Sequence, residues 1–239
     1  MSQYELDNEK FVLPSPAGVY YATSSDQSDL SRGLLLALMT QIESQLITEE
    51  KLFNWLNVNC HETTFELLHK IQQLGWLTSF SEKQAAPSGA LEQILPPLLA
   101  ELSSTNKALL ADQQGFNLAS HGFTHEAAEE LSALSADLVS LRLRHGNLLF
   151  NNLNIKTQAM GLIDAAGNSQ LGFWPLYIGK HCFTLVMSGI PQFNQPNFTN
   201  LVWMLTNRYA ANDFTADSSI HDLFAQKNRT ADTDTSTNN

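Results

Sequence analysis

An α+β fold in two parts is predicted by three observations. Short amphipathic helices fill residues 30–75 and close on a strand, a breaker-rich stretch follows at 81–89, and helix-period segments then alternate with strand-period ones. The limits that follow are a helical part over 1–84, a sheet-bearing part over 85–211 and an extension over 212–239, disordered from about 225 because Ala225 to Asn239 has no apolar anchor. A chain of 239 residues has enough apolar surface for one or two cores without disulfide or metal staples.

In the first part, residues 18–23 read as a short strand. From Leu30 the spacing of Leu34, Ala37, Leu38 and Ile42 predicts a helix with Asp29 as N-cap. Thr48 can cap a second helix carrying Leu52, Phe53, Trp55 and Leu56. Asn59 or Cys60 opens a third, with Phe65, Leu68 and Ile71 on one side. Gly75 ends it, and period-two alternation over 76–80 marks a strand. Residues 81–89 have linker composition.

In the second part, Leu91, Ile94, Leu95, Leu98, Leu99 and Leu102 form a helical stripe that Pro96-Pro97 is expected to restart, since proline suits only a first turn. Residues 107–111 and 116–120 read as a hairpin around Asp112-Gln113-Gln114-Gly115, with Gly115 at the left-handed position. A long helix starts after Thr124. Three strands follow over 159–165, 170–178 and 181–187, then a helix over 198–210. Pro175 after Trp174 suggests an exposed sheet edge.

Hydrophobic residues make up 43% and charged residues only 15%, with 19 Asn and 15 Gln in their place, a composition opposed to that of hyperthermophile proteins. Thirteen basic against 24 acidic residues leave a net charge of −11, which counts against a nucleic-acid binder. Cys60 and Cys182 form neither a disulfide framework nor a ligand array, so a reducing cytoplasmic setting is expected. The acidic start lacks the basic and apolar regions of a signal peptide, and the aliphatic run over 34–39 is far short of the ~20 residues of a membrane span.

Three short helices followed by Leu74-Gly75-Trp76-Leu77 and a strand resemble a winged-helix domain over about residues 30–80. A DNA-reading third helix would offer several Lys or Arg; this one offers Glu62, Glu66, His69 and Lys70, so the resemblance implies a protein-contact module. In the second part, the runs from Leu109 to Phe123, His125 to Leu141 and Tyr177 to Gly189, in the order helix, hairpin, long helix, three-stranded meander, helix, resemble the Roadblock family of dynein light-chain-like proteins. That resemblance implies a Roadblock-like α/β/α domain with a five-stranded antiparallel sheet. It also implies a cytoplasmic homodimer or heterodimer, joined edge to edge, that scaffolds an assembly or binds a small Ras-like GTPase; bacterial members include GTPase-activating partners. The expected function is therefore a non-catalytic regulator or scaffold. A DNA-binding transcriptional regulator using the winged-helix-like part is the alternative.

Along the long helix, Ala127, Leu131, Leu134, Leu138 and Leu141 step by 4 and 3, which predicts the sheet-facing side and makes Leu134→Ala a core deletion. The smaller stripe Ala128, Ser132, Ser135 and Val139 is either the helix margin or a dimer interface, where small side chains allow close approach. Glu130, Asp137, Ser140 and Arg144 are candidate contacts to the GTPase, on the strength of the resemblance. Arg142 and Arg144 near the helix end can be an arginine finger or a solvated pair suited to the C-terminal dipole. His121 and His125 are four apart, but Gly122 between them breaks a helical ligand register. No phosphate-binding glycine loop with lysine, no GxSxG, HExxH or GxGxxG occurs. The expectation is thus no catalytic, cofactor or metal residues, and a chain that alone neither binds nor hydrolyses GTP.

Overall fold

The computed structural model describes residues 9–56 and 60–210; the possible start of the third helix at Asn59 and the extension over 212–239 lie outside them. The described residues open with a strand, β1 (Phe11–Pro14), and a helix, α1 (Pro16–Thr23). The strand expected over 18–23 is thus a helix, and its start was written in the sequence. Ser15 accepts a hydrogen bond from the Gly18 N–H, and Pro16 takes the first helical position, where its missing N–H costs nothing.

Next come α2 (Leu30–Met39), β2 (Gln45–Leu46), α3 (Glu49–Leu56), α4 (His61–Gln73) and β3 (Leu77–Phe80). Asp29 caps α2 and Thr48 receives the Lys51 N–H at the start of α3, as the pattern predicts. The three strands form one sheet in the order β2-β1-β3, so β3 pairs with β1, the first strand among the described residues. Helices α2, α3 and α4 follow one another in chain order, with β1 and α1 in front of them.

Residues 81–89 do not hang free. The Ser44 N–H donates to the Gln84 carbonyl and the Ala86 N–H to that of Ile42, which ties the stretch to the α2–β2 connection. Beyond it, α5 (Leu91–Ala100) runs straight through Pro96 and Pro97 rather than restarting. Two intrahelical bonds are forgone, while burial of Leu95, Leu98 and Leu99 on one face holds the helix in place.

The rest is a five-stranded antiparallel sheet with its helices: β4 (Ala108–Ala111), β5 (Asn117–His121), α6 (His125–Gly146), a π-helical turn (Asn147–Asn152), β6 (Met160–Ile163), β7 (Ser169–Ile178), β8 (His181–Ser188) and α7 (Pro196–Tyr209). Strand order is β5-β4-β8-β7-β6. β7 is therefore internal, not an edge. Its proline is tolerated because β6 pairs only as far as Met160 opposite Phe173, so Pro175 faces β8 alone, opposite Thr184.

One core crosses the boundary at residue 84. Leu13, Val19 and Met39 join Leu95, Leu99, Leu185, Phe198 and Trp203 in a single buried cluster. The Trp203 indole N–H donates to the Gln41 carbonyl at 2.6 Å, and the Asn207 amide donates to the Met39 carbonyl at 2.9 Å. The N-terminal part thus covers α7 on the outer side of one sheet face. A second cluster, around Leu34, Leu35, Leu52, Leu68 and Ile71, belongs to the N-terminal part itself.

Candidate partner-binding face

The other sheet face is covered by α6. Leu109, Val186 and Phe173 are neighbours in register across β4, β8 and β7, and together with Ala111 they form the floor on which α6 lies. Thr124 starts the helix by accepting the Ala127 N–H, and the side it turns to the floor carries Ala128, Ser132 and Ser135, each 0% exposed.

This reverses the expected orientation. Ser132 and Ser135 can be buried because each hydroxyl donates to a carbonyl of its own helix, Ala128 and Ser132 respectively, at 2.7 Å. The hairpin turn touches the same helix at the Ser132 carbonyl, Ala133 and Ala136. Gly115 has φ +87°, and a Cβ there would lie 3.0 Å from the Ser132 carbonyl oxygen. The small stripe proposed as a dimer interface is consumed inside the chain; Val139, its last member, is half-buried and borders a small void with Leu138, Phe173 and Thr184.

The leucines expected inside lie at the margin or outside. Leu131 and Leu138 are half-buried against the floor, whereas Leu134 is 41% and Leu141 40% exposed. The four candidate contacts, Glu130, Asp137, Ser140 and Arg144, are all exposed. At 100° per residue they fall within about 80° of arc, beside Leu134 and Leu141. Leu148 and Phe150 of the π-turn, and Leu153 and Ile155 after it, are exposed as well. On the edge strand β6, Leu162 is 62% and Ile163 68% exposed.

The two arginines differ. Arg144 is exposed, while Arg142 is half-buried against Phe173, Pro175 and Thr184. It is close enough to Tyr177 and Cys182 to favour their ionised forms. Burial outweighs it, pushing the Cys182 thiol up to about 11 and the Tyr177 phenol above its ordinary range. His121 ends β5 and His125 opens α6, with Gly122 at φ +77° between them. No group of three or more His, Cys, Asp or Glu is placed to hold a metal among the described residues.

No family model and no curated protein matches the chain. Among solved structures it is similar to a Roadblock/LC7 domain from Streptomyces avermitilis, 15% identical over 50% of this chain and 96% of that one, with a TM-score of 0.35. It is also similar to the gliding protein MglB from Thermus thermophilus, 19% identical over 54% of this chain and 92% of that one, with a TM-score of 0.31. Both are distant likenesses confined to about half of the chain. The second half itself shows the order helix, hairpin, long helix, three-stranded meander, helix, around a five-stranded antiparallel sheet.

Proposed function

We propose that this protein is a non-catalytic regulator or scaffold that pairs with a second copy through the α6–β6 side of its Roadblock-like half and binds a small Ras-like GTPase. The observations that carry the reading are the exposed leucines Leu134, Leu141 and Leu148 on the outer side of the helix and an edge strand that carries the exposed Leu162 and Ile163. Edge strands with unpaired backbone and exposed apolar side chains are managed in native proteins by being paired or covered. The opposite side of the sheet is already occupied by α5, α7 and the N-terminal part.

The GTPase comes from the Roadblock resemblance, and Glu130, Asp137, Ser140 and Arg144 are its candidate contacts. Because γ-phosphate orders the switch segments of such GTPases, a partner that reads those segments distinguishes the two nucleotide states. In this reading the N-terminal part is a protein-contact module. Its α4 carries Glu62 and Glu66 exposed, with Lys70 the single Lys or Arg in the helix. Pull-down from native lysate with GDP or a slowly hydrolysed GTP analogue tests the proposal. A Ras-like GTPase held in one state and released in the other is expected. Recovery of none in either state leaves scaffold as the function.

A further inference from the structure

The loop over 24–29, between α1 and α2, and the segment over 156–159 that leads into β6 border a cavity of about 550 Å³ walled by Tyr20, Phe150, Trp174 and Pro175. Its wall is fixed. The Trp174 indole lies across Gly172, where any Cβ would collide with its six-membered ring, and Phe193 meets it edge-on at 5.5 Å. Tyr20 packs on the same Phe193 at 5.2 Å, while Phe150 is still 38% exposed.

Charge does not choose the occupant. Arg32 is paired with Asp29 at 3.2 Å, and the exposed Lys156 is offset by the exposed Asp26 of the facing loop. With the charges balanced, neither an anion nor a cation is favoured. Three aromatic rings and a proline suit large apolar side chains instead, and Ser24, Gln27 and Ser28 offer polar groups to the backbone that carries them.

Such side chains lie within reach on the same chain. Helix α7 ends at Tyr209, whose ring stands 5.5 Å from His181 and 5.1 Å from Phe183, at the start of β8. His181 pairs with Ile178 on β7, so Trp174 and Pro175 lie only about 10–13 Å back along that strand. Trp174 also shares its sheet face with Leu176 and Ile178, which pack in the cluster that contains α7. Residues 211–224 can span up to about 46–50 Å, several times that distance. Outside the described residues, Leu223-Phe224 is the one adjacent pair of large apolar side chains, with Ile220 three positions earlier.

We propose that the cavity takes Leu223 and Phe224 of this chain, so that residues 211–224 act as a strap from the end of α7 across the join between the two halves. Tethering supplies an effective concentration on the order of 1 mM, at which even a weak contact is populated. The strap reinforces the junction where Gln158 already donates to Ser25 and Asp26. The inference does not depend on pairing through the α6–β6 side.

Hydrogen exchange of the full chain, read by mass spectrometry, is the first test. Amides over 220–225 are expected to exchange at least about tenfold more slowly than in a Leu223→Ser/Phe224→Ser variant, and equally slowly after tenfold dilution of the protein. Phe150→Ser, at an exposed position, should abolish that protection while the circular dichroism stays native. The second test is placement. In a Cys60→Ser background, Thr157→Cys with Ala225→Cys should form an intramolecular disulfide under mild oxidation, whereas Ser79→Cys with Ala225→Cys, on the exposed face of β3, should not. The proposal is overturned if 220–225 exchanges as fast in the native chain as in the double serine variant, or if Phe150→Ser leaves the protection intact. It is overturned too if protection falls on dilution, for then the segment docks on a second copy, or if the two cysteine pairs cross-link equally.

Discussion

The two faces of the five-stranded sheet are finished in different ways. On one, Leu110, Leu185 and Met187 disappear beneath α5 and α7, and the N-terminal part then seals α7 through Val19, Met39 and the Trp203 hydrogen bond. On the other, α6 rests on Leu109, Phe173 and Val186 through alanine and serine and turns Leu134 and Leu141 to solvent. The helices of the closed face pack on the sheet with large side chains, whereas α6 places small ones at the centre of its contact and Leu131 and Leu138 at the margin. Apolar periodicity therefore reports which residues are buried only where a single stripe competes for the core; a helix with two stripes can place the smaller one inward when the floor beneath it is already bulky.

The largest expected effect is at the inward stripe. Ser132→Arg puts a charge where no atom is exposed and no counter-ion stands, so the chain should fail to fold, with a loss of roughly 3–5 kcal/mol or more. Circular dichroism and thermal melting check this; a folded Ser132→Arg variant with native melting would place the helix the other way round. On the closed face, Trp203→Ala should cost about 3–5 kcal/mol. It should lower one common unfolding transition, because the core cluster spans both halves. Two transitions in urea, only one of them shifted, would show that the halves are separate folding units.

Leu134→Ala sharpens the contrast. As a core deletion it would cost about 2–5 kcal/mol. At 41% exposure it should cost under about 1 kcal/mol when the chain is a monomer, measured by urea unfolding at low protein concentration.

The smallest effect concerns the two thiols. Cys60 is exposed and the Thr63 hydroxyl lowers its pKa, while burial raises that of Cys182 to about 11. Thiolate is the reactive form, so between pH 7 and 9 the native protein should label at Cys60 well ahead of Cys182, as mass spectrometry with iodoacetamide would show. Equal labelling would mean that the α6-covered face opens readily.

The order of elements from α5 onward was legible because each has the period of its type and each turn has its glycine or Asx residue. Asp112 and Gly115 close the first hairpin as the pattern predicts, with Asp112 accepting the Gln114 and Phe116 N–H groups. Helix α1 was legible too, in Ser15-Pro16, but its aromatic and β-branched residues Val19, Tyr20 and Tyr21 favour a strand reading. The rotation of α6 was hidden, because it depends on Gly115 and Phe173, which are distant in sequence and set the clearance above the sheet. The contact of the 156–159 segment with the α1–α2 loop was hidden for the same reason: Gln158 meets Ser25 and Asp26 across more than 130 positions, and no local pattern announces such a pair.

The central claim is that the open side of α6 and the β6 edge form the surface on which a second copy sits. Sedimentation equilibrium of the full chain, beside a Leu134→Glu/Leu141→Glu variant, tests it most directly. The account predicts a dimer at tens of micromolar for the native sequence. The variant should sediment as a monomer with an unchanged melting temperature when the two are compared at concentrations where both are monomeric, because both positions are about 40% exposed in the single chain. A native chain that sediments as a monomer at that concentration, or a doubly substituted one that stays dimeric, would contradict it.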